Sequence, residues 1–254
     1  MAEENVHGAV AVQKRLIYGY DNSYILDSCR LYPDTFASLV ILDAEDPATP
    51  GLLRMWTANN QLAGVRLFGY RQPDGSTPWL NSPEALRTWQ AAQELGLVVD
   101  LEVICQNGGA VVIPMLLDLV ERFPDVPVVL DHLLEPRVAD QDFGFAAGYE
   151  RLAAHPRIFY KFTSINLDIL RESGVDAAAF LRRAVDLFGA RQLMWGSDIG
   201  TSSGTYKDMV ARAVAATSHL DDGERATLLN ETGRRVFVRG GAVADPTRQG
   251  RSTR

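Results

Sequence analysis

The sequence predicts an α/β fold in which short parallel strands alternate with crossover helices. Two observations carry this. Short β-branched runs recur seven times, with segments of helical period between them. Six of the seven runs also end at or next to a charged side chain. In parallel α/β proteins catalytic groups collect at the C-terminal strand ends, where the loops converge on one mouth. A length of 254 residues suits one α/β barrel of roughly 250 residues, or two small domains.

The predicted strands cover 9–13, 37–42, 64–67, 97–103, 127–130, 158–162 and 192–195. Helices are expected at about 22–31, 46–58, 82–95, 110–122, 142–154, 176–189 and 205–217. Asp21 or Asn22 is placed to cap the first of them. Ser82-Pro83-Glu84 sets a cap, a first-turn proline and a first-turn acid in a row. Gly96 and Gly189 sit where helices should stop. No linker divides the chain, so residues 1–238 read as a single domain. Residues 239–254, with Gly240, Gly241, Pro246 and four arginines, read as a disordered tail.

Composition excludes several classes of function. Hydrophobic residues make up 46% and charged residues 22%, which permits a sizeable buried core. The net charge is −7 and no basic face is visible, which argues against nucleic acid or an anionic membrane as partner. The longest apolar run, 111–117, is too short to span a bilayer and contains Pro114. The N-terminus is acidic and lacks an apolar signal region, so a cytoplasmic location is expected. Cys29 and Cys105 lie apart in apolar stretches and read as structural thiols.

The strand ends carry, in order, Gln13, Asp43, Arg66, Glu102, Asp131 with His132, Lys161 and Asp198. Asp43 opens an acidic turn and reads first as a cap. Asp131 reads as a loop-bonding carboxylate or a chemical group, and Lys161 as a surface or a site residue. Alternation leaves Asp100 and Glu102 on one face, with one of the two directed into the interior. His132 and Asp198 stand out. Imidazole titrates near neutrality and suits proton transfer or metal ligation. A partly desolvated carboxylate beyond Gly196 suits proton abstraction from water. His7, His155 and His219 read as turn or surface residues. The tryptophans read as packing, with Trp79 also placed to line a mouth.

These residues bring a resemblance into view. Val10-Ala11-Val12-Gln13, Asp21-Asn22-Ser23-Tyr24, Gly64-Val65-Arg66 and Val129-Leu130-Asp131-His132 are similar to elements of the amidohydrolase-related family. So are His155-Pro156 with Lys161, Trp195-Gly196-Ser197-Asp198, and the ending from Glu224-Arg225-Ala226 through Asn230 to Arg235-Val236-Phe237. Together they span about residues 5–238, and the branch they resemble includes 2-pyrone-4,6-dicarboxylate lactonases. The resemblance implies a TIM-like (β/α)₈ barrel, incomplete here, whose seven visible strands are the second to the eighth. The family's first strand ends in a His-x-His pair, and this sequence contains none. Further departures are Leu134 in place of a glycine, Gly200 in place of a proline, and Glu102 in place of a histidine ligand.

The resemblance implies a hydrolase acting on a small carboxylated lactone or related ring. Asp198 would draw a proton from water, His132 would polarise the carbonyl or serve as a ligand, and Arg66 and Lys161 would hold substrate carboxylates. His132, Asp198 and Glu102 form a weak set for one divalent ion, zinc or manganese. That set is poor in imidazole for a catalytic zinc, and no firmly bound metal is expected. Two alternatives remain: a metal-dependent decarboxylase on the same fold, and a truncated, non-catalytic barrel. Without its first strand a barrel exposes unpaired edges, which invite association such as a homo-oligomer. The alternative expectation is that Met1 lies downstream of the true start.

Overall fold

A computed structural model describes residues 1–59, 62–104, 109–145 and 148–238. Seven strands are present: β1 (Ala9–Val12), β2 (Phe36–Ile41), β3 (Leu62–Tyr70), β4 (Val98–Ile104), β5 (Val128–Leu130), β6 (Ile158–Thr163) and β7 (Leu193–Gly196). They form one sheet in chain order, and every neighbouring pair is parallel. Parallel neighbours need long crossovers, which these connections supply as helices. The sheet curls into a half-barrel, as the sequence led us to expect. Among the described residues β1 and β7 form its two edges.

The connecting helices are α1 (Arg15–Tyr18), α2 (Ser23–Leu31), α3 (Thr49–Asn59), α4 (Pro78–Asn81), α5 (Pro83–Leu95) and α6 (Ile113–Arg122). They continue as α7 (Tyr149–Ala153), α8 (Ser164–Glu172), α9 (Ala177–Phe188), α10 (Tyr206–Ala216), α11 (Asp222–Ala226) and α12 (Thr232–Phe237). Ser82 caps α5 by accepting from the Ala85 N–H, and Gly96 ends that helix in the left-handed region, φ 62°. One expectation needs correction. The helix foreseen over 142–154 contracts to α7, because Asp142 and Phe143 turn to positive φ. Of the two candidate caps for α2, Asp21 accepts the Ser23 N–H at 2.9 Å, while Asn22 makes no cap bond. Its side chain instead accepts from Ile41 N–H and donates to Ile41 C=O, both at 2.8 Å, tying α2 to β2.

Two apolar clusters hold these layers together. The larger lies between sheet and helices and includes Val65, Leu101, Leu130, Tyr160, Phe162 and the α9 residues Phe180 and Leu181. The smaller joins Leu39, Val98, Val129, Phe159 and Met194, from successive strands, to Phe237 of α12. It fills the curl of the sheet on the N-terminal side of the charged residues described next. Among the described residues no helix is long and apolar enough to cross a membrane. Cys29 is a half-buried free thiol whose pKa burial pushes up to about 11, consistent with an inert role. Cys105 and the tail 239–254 lie outside the described residues.

Candidate active site

Strand alternation explains why the charged residues meet. Arg66 pairs in register with Asp100, and Phe68 with Glu102, so Arg66, Asp100 and Glu102 project to one face of neighbouring strands. Arg66 Nε donates to Asp100 at 2.8 Å, Nη1 to Glu102 at 3.1 Å, and Nη2 to Asp131. Lys161 Nζ reaches Asp100 at 2.6 Å and also contacts Asp131. Gly196 on β7 leaves room for this lysine, since a Cβ there would stand 3.1 Å from its Cδ. Asp100 is fully buried, so the sequence expectation that one of Asp100 and Glu102 faces inward understates the site: both do.

Burial opposes charge throughout this network, and the partners decide the outcome. Burial disfavours the Arg66 cation, yet Asp100, Asp131 and Glu102 together hold its pKa above the ordinary value. Burial likewise works against the Asp131 carboxylate, but Arg66 and Lys161 outweigh it and hold that pKa well below the usual range. Lys161 is raised in the same way: burial opposes its charge, and Asp100 and Asp131 overcome it. Glu102 is the exception. Its burial dominates over Arg66, with Asp131, Asp100 and Asp198 adding repulsion, and its pKa is pushed up to about 7. The two cations Arg66 and Lys161 then face the two aspartates Asp100 and Asp131, with Glu102 the member whose pKa lies near neutrality.

Above this layer lie the two residues the sequence singled out. His132 Nε2 stands 3.9 Å from Asp198 Oδ2, so the ends of β5 and β7 do bring them into one cup. His132 is buried, and Asp198 keeps about a quarter of its side chain exposed. Both have left-handed backbones, φ 53° for His132 and 51° for Asp198. Such strain persists in a folded protein only where its surroundings over-determine it. Burial lowers the His132 pKa, against the opposing pull of Asp131 and Asp198.

Three residues in the cup went unremarked in the sequence. Thr163, the last residue of β6, places Oγ1 2.7 Å from His132 Nδ1. Asn166, in the first turn of α8, bonds both Thr163 and the His132 carbonyl. The signal was legible as a Thr-x-x-Asn capping box directly after the strand. Lys14, just past β1, crosses to the loop after Asp198, where its Nζ donates to Gly200 C=O and lies 3.1 Å from Thr201 Oγ1.

The remaining strand ends lie apart from this pair. Asp43 turns its carboxylate onto the Glu45 N–H, the capping role expected for it. Gln13 is buried and donates to the Asp21 carbonyl. Asp43 also lines a cavity of about 210 Å³ at the β2–β3 end of the mouth, with Arg15, Phe68, Tyr70 and Trp79. Trp79 therefore does line a mouth, although on α4 rather than in a loop.

The donor set for a metal can be tested on this geometry. His132 and Asp198 supply two donors, while Glu102 is bonded to Arg66, and Asp100 and Asp131 are each held by two cations. Among the described residues no group of three His, Cys, Asp or Glu side chains is arranged to hold an ion. Among the described residues the donors do not fit a resident catalytic metal.

A sequence model described as amidohydrolase matches residues 1–239. An L-fucono-1,5-lactonase of Burkholderia ambifaria is 25% identical over 205 residues, covering 78% of this chain and 66% of that protein, just under two thirds of its length. A solved Pseudomonas putida protein assigned as a 2-pyrone-4,6-dicarboxylic acid hydrolase is similar with a TM-score of 0.72. It is 23% identical, over 94% of this chain and 84% of its own. An amidohydrolase of Burkholderia multivorans with bound zinc also gives a TM-score of 0.72. It is 22% identical, over 93% of this chain and 85% of its own. With the family match running across every strand and helix described above, the chain belongs to the amidohydrolase family.

Proposed function

We propose that the chain is a hydrolase that opens a small lactone, with Asp198 as the base that activates water. The observation that carries this is the His132–Asp198 pair, 3.9 Å apart beyond the ends of β5 and β7, which flank β6. A partly exposed carboxylate beside a buried imidazole holds a water at the mouth and takes its proton as it attacks the ester carbonyl. The ring oxygen then departs, Asp198 returns the proton to it, and a hydroxy acid results. Lactones are the substrates named for one relative, which supports this choice of ester.

Arg66 and Lys161 remain the groups proposed to receive a substrate carboxylate, through a specific exchange. Of the three acids on Arg66, Glu102 is the most exposed, and it gains a proton near neutrality. An incoming carboxylate takes its place on Nη1 while Asp100 and Asp131 keep the guanidinium plane fixed. Bidentate or forked contacts of this kind orient a ring as well as neutralising it.

Asp198→Asn is the direct test, because Asn tolerates the left-handed backbone at this position. Hydrolysis of L-fucono-1,5-lactone and 2-pyrone-4,6-dicarboxylate is followed by base uptake at constant pH. Loss of a positioned base is expected to lower kcat by about 10²- to 10⁴-fold, with the melting curve unchanged. Turnover within threefold of wild type would remove Asp198 from the mechanism.

A further inference from the structure

We infer that Thr163 and Asn166 lock His132 in the tautomer that carries its proton on Nδ1, leaving Nε2 bare toward Asp198. The argument is a chain of hydrogen bonds in which each donor fixes the next. The His132 carbonyl can only accept, so the amide group of Asn166 that faces it at 3.0 Å is the NH₂. Asn166 Oδ1 is thereby turned to Thr163, where it accepts the backbone N–H at 2.9 Å and the side-chain hydroxyl at 3.1 Å. A hydroxyl has one proton, and Asn166 Oδ1, which can only accept, would face a bare hydroxyl oxygen at 3.1 Å without it, so the proton goes to Asn166. At 2.7 Å from His132 Nδ1 the hydroxyl oxygen therefore accepts, and Nδ1 donates. All three side chains are buried, so no bulk water competes for these positions. An imidazole is ordinarily neutral above about pH 6.5. A neutral ring protonated on Nδ1 has a lone pair on Nε2.

This changes what His132 contributes. The sequence reading let it polarise the substrate, which would require a proton on Nε2. In the locked tautomer Nε2 and the Asp198 carboxylate are both acceptors, and two acceptors 3.9 Å apart do not bond each other. One water satisfies both by donating a proton to each, which leaves an oxygen lone pair directed away from them. His132 thus orients the attacking water, with Thr163 and Asn166 as positioning residues. This catalytic consequence rests on the proposed lactone hydrolysis, whereas the tautomer stands without it.

The tautomer is read directly by NMR of protein with ¹⁵N-labelled histidine, the His132 signals being assigned by their loss in His132→Gln. The wild type is expected to show a protonated Nδ1 and a bare Nε2 at pH 7.5. Thr163→Ser keeps the hydroxyl and is expected to keep this pattern. Thr163→Val removes the acceptor and is expected to shift the proton to Nε2 or mix the two forms. In the Ser-His-Asp triad a wrong tautomer costs about 10⁴-fold in kcat, and the Thr163→Val loss is expected between about tenfold and that figure, with KM little changed. A wild-type spectrum with the proton on Nε2 overturns the inference even if the variants fail to fold, as does a Thr163→Val spectrum identical to wild type. Failure of the lactonase reading looks different: the expected spectrum with no turnover of either lactone.

Discussion

At the scale of single residues, the turn that carries His132 is the least ordinary feature of the chain. His132, Leu133, Leu134 and Glu135 all have positive φ, between 49° and 61°. Left-handed backbone costs an L-residue roughly 1–2 kcal/mol, so the surroundings must hold this turn in place. Glu135 N–H closes onto His132 C=O, Asn166 bonds the same carbonyl, and Tyr149 Oη donates to Leu134 C=O. Gly109 lies so close that any Cβ there would collide with the Leu134 carbonyl. Leu134→Gly sets two effects against each other. It relieves about 1–2 kcal/mol of strain but removes a side chain only 1% exposed, and burying a leucine in a core is worth about 2–5 kcal/mol by truncation. Packing wins, and urea denaturation is expected to show a net loss of about 1–3 kcal/mol. The Asp131-His132 pair and the unusual Leu134 were legible in the sequence. The handedness of the turn was not, because three distant elements impose it on residues that otherwise favour a right-handed helix.

Glu102 makes the second residue-scale prediction, and its sign follows from linkage. Its folded pKa, about 7, lies above the ordinary 4.5, so the native state holds this proton more tightly than the unfolded chain. The stability it contributes is complete below about pH 4.5 and is lost as pH rises through 7. His132 acts in the opposite sense, since its lowered pKa costs stability as pH falls below the ordinary 6.5. The difference between wild type and Glu102→Gln isolates the first effect. Relative to the variant, wild type is expected to lose on the order of 2–3 kcal/mol between pH 5 and pH 8 in urea titrations. A flat difference across that range would place the Glu102 proton elsewhere.

At the scale of elements, the seven strands were readable because each is a short, β-branched apolar run with a polar end, too short for a helix. The α8 helix was missed because it follows β6 without a turn, and its start is marked only by the Thr163–Asn166 box. Asn22 has a role that its neighbour's capping bond left free, since Asp21 takes the Ser23 N–H. It has the residue type of a cap and the position of one, yet β2 claims its side chain. That residue spans α2 and β2, and it is 2% exposed. Asn22→Ala would strand Ile41 groups in a dry setting, where an unmet bond costs about 1–3 kcal/mol. A loss near 2 kcal/mol is expected in the same urea assay. An effect below about 0.5 kcal/mol would mean that Ile41 finds other partners.

At the scale of the whole molecule, the two sheet edges are drawn together by side chains instead of by strand pairing. At one end Phe237 and Val236 of α12 pack with Val10 and Val12 of β1 and Met194 of β7 in the smaller apolar cluster. At the mouth Lys14 reaches from the end of β1 to Gly200 and Thr201, in the loop that the Asp198 carbonyl also gathers through the N–H groups of Thr201 and Ser202. The two ties differ in kind. The apolar one is buried, so Phe237→Ala falls in the range of about 3–5 kcal/mol typical of a lost core aromatic. The Lys14 tie is exposed to solvent, where a single polar contact adds at most about 1 kcal/mol. Its effect is local: it holds the backbone that orients the proposed base. Lys14→Met is therefore expected to leave the melting temperature nearly unchanged while amide exchange over 198–202 quickens and kcat falls by up to about 10²-fold, the cost of a misplacement of roughly 1 Å. Unchanged exchange in that loop would show that Asp198 is held by its own turn, and that the open side of the sheet plays no part in aiming it.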